Sequence, residues 1–135
     1  MKKYFNWIII ISTILCVLVA DLVTKHFLFS VEYYNLIPGV LSVATNGGNT
    51  GAAWGMFSGK TLMLIIVSVL MIIALFFFNY FIKKKNTFYC LSFGFIIGGA
   101  IGNLVDRIWL GFVRDFIFLD FISYDGITVV LFNGQ

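Results

Sequence analysis

The residues best suited to chemistry are carboxylates set among apolar side chains. Asp115 stands in Gly111-Phe112-Val113-Arg114-Asp115-Phe116. Burial among such neighbours favours the protonated form of a carboxyl, which fits it for acid or base work. Asn103 and Asp106 are three apart and share a helix face, with Arg107 beside them to pair with a carboxylate or a lipid phosphate. Asp21 and Lys25 are one helical turn apart, an ion pair that either serves a function or ends a helix at an interface. Asn49-Thr50-Gly51-Ala52-Ala53-Trp54-Gly55-Met56-Phe57 sets small residues beside aromatics. There a backbone can approach a substrate closely, or Trp54 simply anchors an interface. His26 is the only histidine and lies far from Cys16 and Cys90 in the chain, so spacing suggests no metal site and no cofactor is expected. No Ser-His-Asp set and no phosphate loop is evident. Catalysis would therefore fall to carboxylates, two of which can share a proton and activate water.

The composition dictates what must hold these groups. The 135 residues are 61% hydrophobic and only 11% charged, with a mean hydropathy of +1.01. A soluble domain carries about 25% charged residues. The chain therefore reads as an all-α polytopic membrane protein, a single membrane domain over 1–135. Residues 5–20 are free of charge. They make a helix of about 24 Å. A bilayer core of about 30 Å carries this first span on to 25, with Asp21 and Lys25 at its outer interface. The charged start and apolar stretch also fit a signal peptide, but no cleavage region follows, so a retained anchor is expected. The second span is 61–82, with Asn79 its one strongly polar residue. The third is 88–105, where Gly94, Gly98 and Gly102 recur every four residues and flatten a helix face for close packing. Cys16 and Cys90 read as buried small hydrophobes. Outer segments are expected at 30–60 and 106–135. The first holds Pro38 and several glycines and asparagines, and β-prone pieces at 31–34 and 40–44 suit a small sheet.

Charge placement gives orientation. Lys2 and Lys3 precede the first span, and Lys83, Lys84 and Lys85 follow the second. The positive-inside rule places both clusters in the cytoplasm. All six acidic residues, Asp21, Glu32, Asp106, Asp115, Asp120 and Asp125, then fall on the outer side. Each basic cluster abuts an apolar span, so the expected partner is a lipid bilayer and not a nucleic acid.

Four segments in this order resemble the lipoprotein signal peptidases, also called signal peptidase II. They are Asp21-Leu22-Val23-Thr24-Lys25, residues 49–57, Gly98-Gly99-Ala100-Ile101-Gly102-Asn103-Leu104-Val105-Asp106-Arg107, and residues 111–116. The resemblance implies an aspartic endopeptidase of the bacterial inner membrane, with four transmembrane helices and a small β-rich extracytoplasmic cradle. It implies cleavage of diacylglyceryl-modified prolipoproteins just before the modified cysteine, by two aspartates and water without a metal. It makes Asp115 catalytic and Asn49, Asn103 and Arg107 substrate-binding. Asp106 becomes a structural and orienting residue, a role also assigned to Asp21 and Lys25.

One departure stands beside the match. The family's second catalytic aspartate follows a Phe-Asn pair in a Phe-Asn-x-Ala-Asp pattern and opens the fourth helix. Here Phe132-Asn133 is followed by Gly134-Gln135. Three spans are therefore expected, and the sequence reads as truncated before that aspartate, with Asp125 and Asp120 as stand-ins. Two readings stay open: an active peptidase working as a monomer, or an inactive relative that only binds precursors or partner helices. An unrelated membrane scaffold is disfavoured by four motifs in order. The orientation is testable with accessibility tags. One after Lys85 should be cytoplasmic and one after Gly59 external; the opposite labelling would overturn the topology.

Overall fold

The computed structural model describes residues 2–30, 34–38, 40–43, 48–51, 56–115 and 117–119. Three helices dominate: α1 (Lys2–Leu28), α2 (Thr61–Phe81) and α3 (Thr87–Leu110). All three are long and apolar enough to cross a membrane, over Tyr4–Leu28, Thr61–Phe81 and Thr87–Leu110. Short strands β1 (Tyr34–Ile37), β2 (Leu41–Val43) and β3 (Ile117–Leu119) form one antiparallel sheet in the order β1-β2-β3.

Two helices run further than charge patterning predicts. α1 continues three residues past Lys25, and α3 continues past Val105 to Leu110. Asp106 and Arg107 thus belong to the last turns of α3, not to an outer segment starting at 106. The reason is local: near a bilayer, backbone groups are best satisfied within the helix, and the charged side chains find partners there, so they need not end it. The α3 terminus is instead set by Gly111, which takes the left-handed conformation at φ 84° and donates its N–H to the Arg107 carbonyl (3.1 Å). At the other end, the Asn86 side chain accepts the Tyr89 N–H (2.8 Å) and starts α3.

Polar contacts fix the helix directions. Asn6, near the start of α1, donates to the Lys85 carbonyl just ahead of α3 (3.3 Å). Lys25, near the end of α1, donates to Asn103 near the end of α3 (2.8 Å). The two helices are therefore parallel. α2 runs the other way: the Thr61 hydroxyl donates to the Gly111 carbonyl (2.9 Å), and Asn79 accepts from the Tyr89 hydroxyl (3.0 Å). Asn79 is fully buried; its Oδ1 is satisfied by Tyr89, while its Nδ2 finds no acceptor among the described residues.

The core is narrow. Ile10, Cys90, Phe93 and Ile97 are its buried members, with Trp7, Ile14, Ile72 and Phe76 packed against them. Cys16, by contrast, is exposed on α1 rather than buried like Cys90. The remaining apolar surface, including Leu70, Phe77, Phe78 and Trp109, is exposed and suits a bilayer.

The α1–α3 contact rests on the small residues of α3. A Cβ on Gly94 would sit 2.6 Å from Thr13 Cβ, and one on Gly98 would sit 2.8 Å from Val17 Cβ. One on Gly102 would collide with the Asp21 carboxylate. Lipid is as apolar as leucine, so such close approach and its dispersion contacts supply association that hydrophobic burial does not.

The sheet lies outside the helices in sequence. Pro38 turns the chain between β1 and β2, and the Val40 N–H closes that turn on the Ile37 carbonyl (2.9 Å). β2 matches one β-prone piece of the sequence and β1 begins at the edge of the other, at Tyr34. β3 has no counterpart in the sequence reading, because three apolar residues become a strand only through their pairing with β2.

Packing predicts opposite outcomes at adjacent glycines. Gly98→Val should lower thermal stability in detergent by about 1–3 kcal/mol through overpacking. Gly99, whose Cβ would meet nothing within 4 Å, should accept alanine neutrally or with a gain of about 0.5–1 kcal/mol in helix propensity. Equal melting of the two variants would refute the close contact at Gly98.

Candidate active site at the paired ends of α1 and α3

A buried ammonium organises this end of the molecule. Lys25 is only 3% exposed. Its Nζ donates to Asp21 Oδ2 and Asn103 Oδ1, each at 2.8 Å, and lies 3.4 Å from Asp106 Oδ2. The ammonium thus makes two hydrogen bonds and one further ion pair. The α-helical repeat supplies two of these relations, Asp21 to Lys25 along α1 and Asn103 to Asp106 along α3. The absence of a side chain at Gly102 supplies the third, by letting Asp21 lie against α3.

Asp106 is 1% exposed and holds the chain that follows α3. Gly111 reverses the backbone, and Val113 then pairs with Asn49 through two backbone hydrogen bonds (2.8 and 2.9 Å). This brings Arg114 back onto Asp106. Arg114 Nη2 and Nε donate to Oδ1 at 2.7 and 3.2 Å, and its backbone N–H donates to Oδ2 at 3.0 Å. Charge-assisted contacts of this kind position a segment firmly. The sequence reading gave Arg114 no role of its own. The available signal was its return, past a helix-ending glycine, to an aspartate eight residues earlier.

The next residue is Asp115. Its N–H donates to the Val113 carbonyl (3.1 Å), a tight local bend. Its side chain is exposed, contrary to the burial that its apolar neighbours suggested. The buried carboxylate of the site is instead Asp106. Asp115 acts electrostatically on the Arg107 guanidinium, as does Asp106.

Arg107 links α3 to the loop before α2. Its Nη2 donates to the Gly51 carbonyl (3.1 Å), while its Nε is buried and finds no acceptor among the described residues. Asn49 shapes the same loop: its Oδ1 accepts the Gly51 N–H (2.8 Å), an Asx turn. Gly48, at φ 86°, faces Phe112 so closely that any Cβ would enter the ring. Only glycine fits there on both counts.

The structure thus gathers Asp21, Lys25, Asn49, Asn103, Asp106, Arg107 and Asp115 at one end of the bundle. Lys25, Arg107 and Arg114 balance Asp21, Asp106 and Asp115, so the cluster is neutral in sum, which limits the cost of holding it beside a membrane. Asp120, Asp125 and Trp54 lie outside the described residues.

Such a bundle of three long apolar helices defines a polytopic membrane protein, with an acidic and amide cluster as its candidate site where two parallel spans end. Comparison with known proteins sharpens the class. The sequence model of signal peptidase (SPase) II matches residues 13–134. Lipoprotein signal peptidases of Staphylococcus aureus, strains JH9 and Newman, are each 36% identical over 130 residues, covering 92% of this chain and 77% of theirs. Two solved bacterial membrane enzyme structures superpose with TM-scores of 0.74 and 0.71, each at 30% identity and over 90% of this chain, covering 83% and 88% of theirs. The chain belongs to the signal peptidase II family, a family of membrane proteases.

The Lys25 network makes a stability prediction. Lys25→Met removes the ammonium and leaves Asp21 beside Asp106 with one cation fewer. Stability in detergent should fall by about 3–5 kcal/mol, the usual result of breaking a buried ion pair. Adding Asp21→Asn should restore part of the loss. An unchanged melting temperature for Lys25→Met would show that the network does not hold the helices.

Proposed function

We propose that this chain is an aspartic endopeptidase that removes signal peptides from prolipoproteins just before the diacylglyceryl-cysteine. It works in the bacterial cytoplasmic membrane, with its N-terminus in the cytoplasm and Asp115 on the outer side. The observation that carries this reading is the placement of Asp115: exposed, beyond the end of a membrane helix, and anchored through Arg114 to a buried aspartate.

The substrate explains why the site should lie there. A diacylglyceryl group holds its cysteine at the bilayer surface, so the bond to be cut sits at the depth where α1 and α3 end. Arg107 is suited to hold the precursor backbone, because its buried Nε is a donor with no acceptor among the described residues. Asn49 and Asn103 shape and flank the same loop. Asp21, Lys25 and Asp106 orient these groups. The three-stranded sheet would serve as the outer wall of the cleft. A single copy carries the whole cluster, in keeping with a monomer.

The chemistry requires two carboxyl groups in opposite protonation states. An ionised carboxylate takes a proton from water as the water oxygen attacks the scissile carbonyl. A protonated partner gives its proton to the leaving nitrogen, and the pair exchanges roles for the next turnover. Asp115 is one member. Asp125 and Asp120 are the acidic residues that follow it in the sequence and the stand-ins for the second.

The test is cleavage of a diacylglyceryl-modified prolipoprotein by purified protein in lipid. Asp115→Asn should lower the rate by at least about 100-fold while the protein stays inserted and folded. Asp120→Asn and Asp125→Asn, assayed alongside, identify the partner by an equal loss in one of them. Wild-type cleavage by Asp115→Asn would sink the assignment. Precursor binding without cleavage by the unaltered chain would leave the binding-only relative as the correct reading.

A further inference from the structure

The opposite end of the bundle holds a pocket of about 800 Å³ that the peptidase reading does not use. It opens where α1 begins, α2 ends and α3 begins. Trp7 of α1, over the buried Ile10, forms an apolar wall, and Lys83, Lys84, Lys85 and Asn86 of the α2–α3 connection line its polar side. No acidic residue lines it, and none of the six in the chain falls within residues 1–20 or 56–105. Among the described residues, the lysines therefore face one another's charge with no internal counter-ion.

Positive charge at this end of a membrane protein commonly sets orientation alone. Here the connection is also built into a shaped site. Asn6 donates to the Lys85 carbonyl and ties the connection to α1. The Lys85 ammonium sits 5.5 Å from the centre of the Trp7 ring, a cation–π contact. Asn86 uses its side chain to cap α3, so the first turn of α3 starts at the pocket with its positive dipole end and no acidic residue in that turn. Ile82 and Tyr80 continue the lining toward the exposed apolar face of α2.

We propose that this pocket binds an anionic phospholipid, its phosphate among the lysines and its upper acyl chain along Trp7 and the exposed Ile82. Two features select a lipid over a soluble phosphate compound. The wall opposite the lysines is apolar, and it is continuous with the exposed apolar face of α2, which is apolar enough to lie in a bilayer. A basic cleft between membrane helices has the charge and shape for such headgroups. The site lies at the far end of the bundle from Asp115 and stands independently of the peptidase reading.

The experiment is native mass spectrometry of the purified full chain in detergent, titrated with phosphatidylglycerol or with phosphatidylcholine. Phosphatidylglycerol should be retained preferentially, one molecule per chain. Lys83→Gln with Lys84→Gln should weaken retention by about fivefold for each lysine removed. Trp7→Ala keeps every lysine and should also weaken it, since the apolar wall is lost. Excess inorganic phosphate should not displace the lipid. Equal retention of the two lipids would overturn the site, as would undiminished retention in Trp7→Ala, which would reveal diffuse charge attraction. Displacement by inorganic phosphate would show a simple anion site and also overturn it. If the double lysine variant fails to fold, the Trp7→Ala titration decides.

Discussion

The ammonium of Lys25 is the interaction on which the rest of the site depends. A charge at the edge of a membrane is costly unless it is surrounded by oxygen ligands, and Lys25 meets Asp21, Asn103 and Asp106. That requirement brings the end of α1 onto the end of α3. It also leaves Asp106 with one oxygen toward Lys25 and both oxygens engaged by Arg114. Arg114 fixes the segment after α3, and so fixes where Asp115 emerges. The sequence of dependence runs from one buried cation, through one buried anion, to an exposed carboxyl group.

The helix interface makes this arrangement possible. α1 and α3 touch along Gly94, Gly98 and Gly102, whose missing side chains admit Thr13, Val17 and Asp21 in turn. The first two contacts are apolar packing within the span, and the third is where packing passes into the ion network. α2 is held differently. It buries only Leu64 and Asn79 and is fastened to α3 by a single polar contact at each end, Asn79 with Tyr89 and Thr61 with Gly111. Between these contacts, Ile72 and Phe76 of α2 pack against the core, Phe76 edge-on to Phe93.

The two ends of the bundle have opposite electrostatic designs. At one, three cations and three anions cancel within a cluster knit by hydrogen bonds. At the other, lysines stand without carboxylates among the described residues, around a pocket with an apolar wall. The motifs that carry the resemblance to the signal peptidase II family gather at the first end. The second is a property of this chain's own residues around Trp7 and Lys85.

Much of this was legible in the sequence. Hydropathy and the placement of lysines determined three spans, because both are local properties that a bilayer reads residue by residue. Helical periodicity put Asp21 with Lys25 and Asn103 with Asp106, and the order of four motifs pointed to the family. The ends of the helices were not legible. Asp106 and Arg107 look like the start of an outer segment until their partners are known, and those partners come from distant parts of the chain. Nor could apolar neighbours tell which carboxylate is buried. Asp115 has them and is exposed, whereas Asp106 is buried because Lys25 and Arg114 converge on it. Only the tertiary structure decides that convergence, since the left-handed turn at Gly111 and the pairing of Val113 with Asn49 carry Arg114 back across the end of α3. Spacing along one helix specifies a shared face, but a contact made after the chain reverses is set by the packing of every element around it.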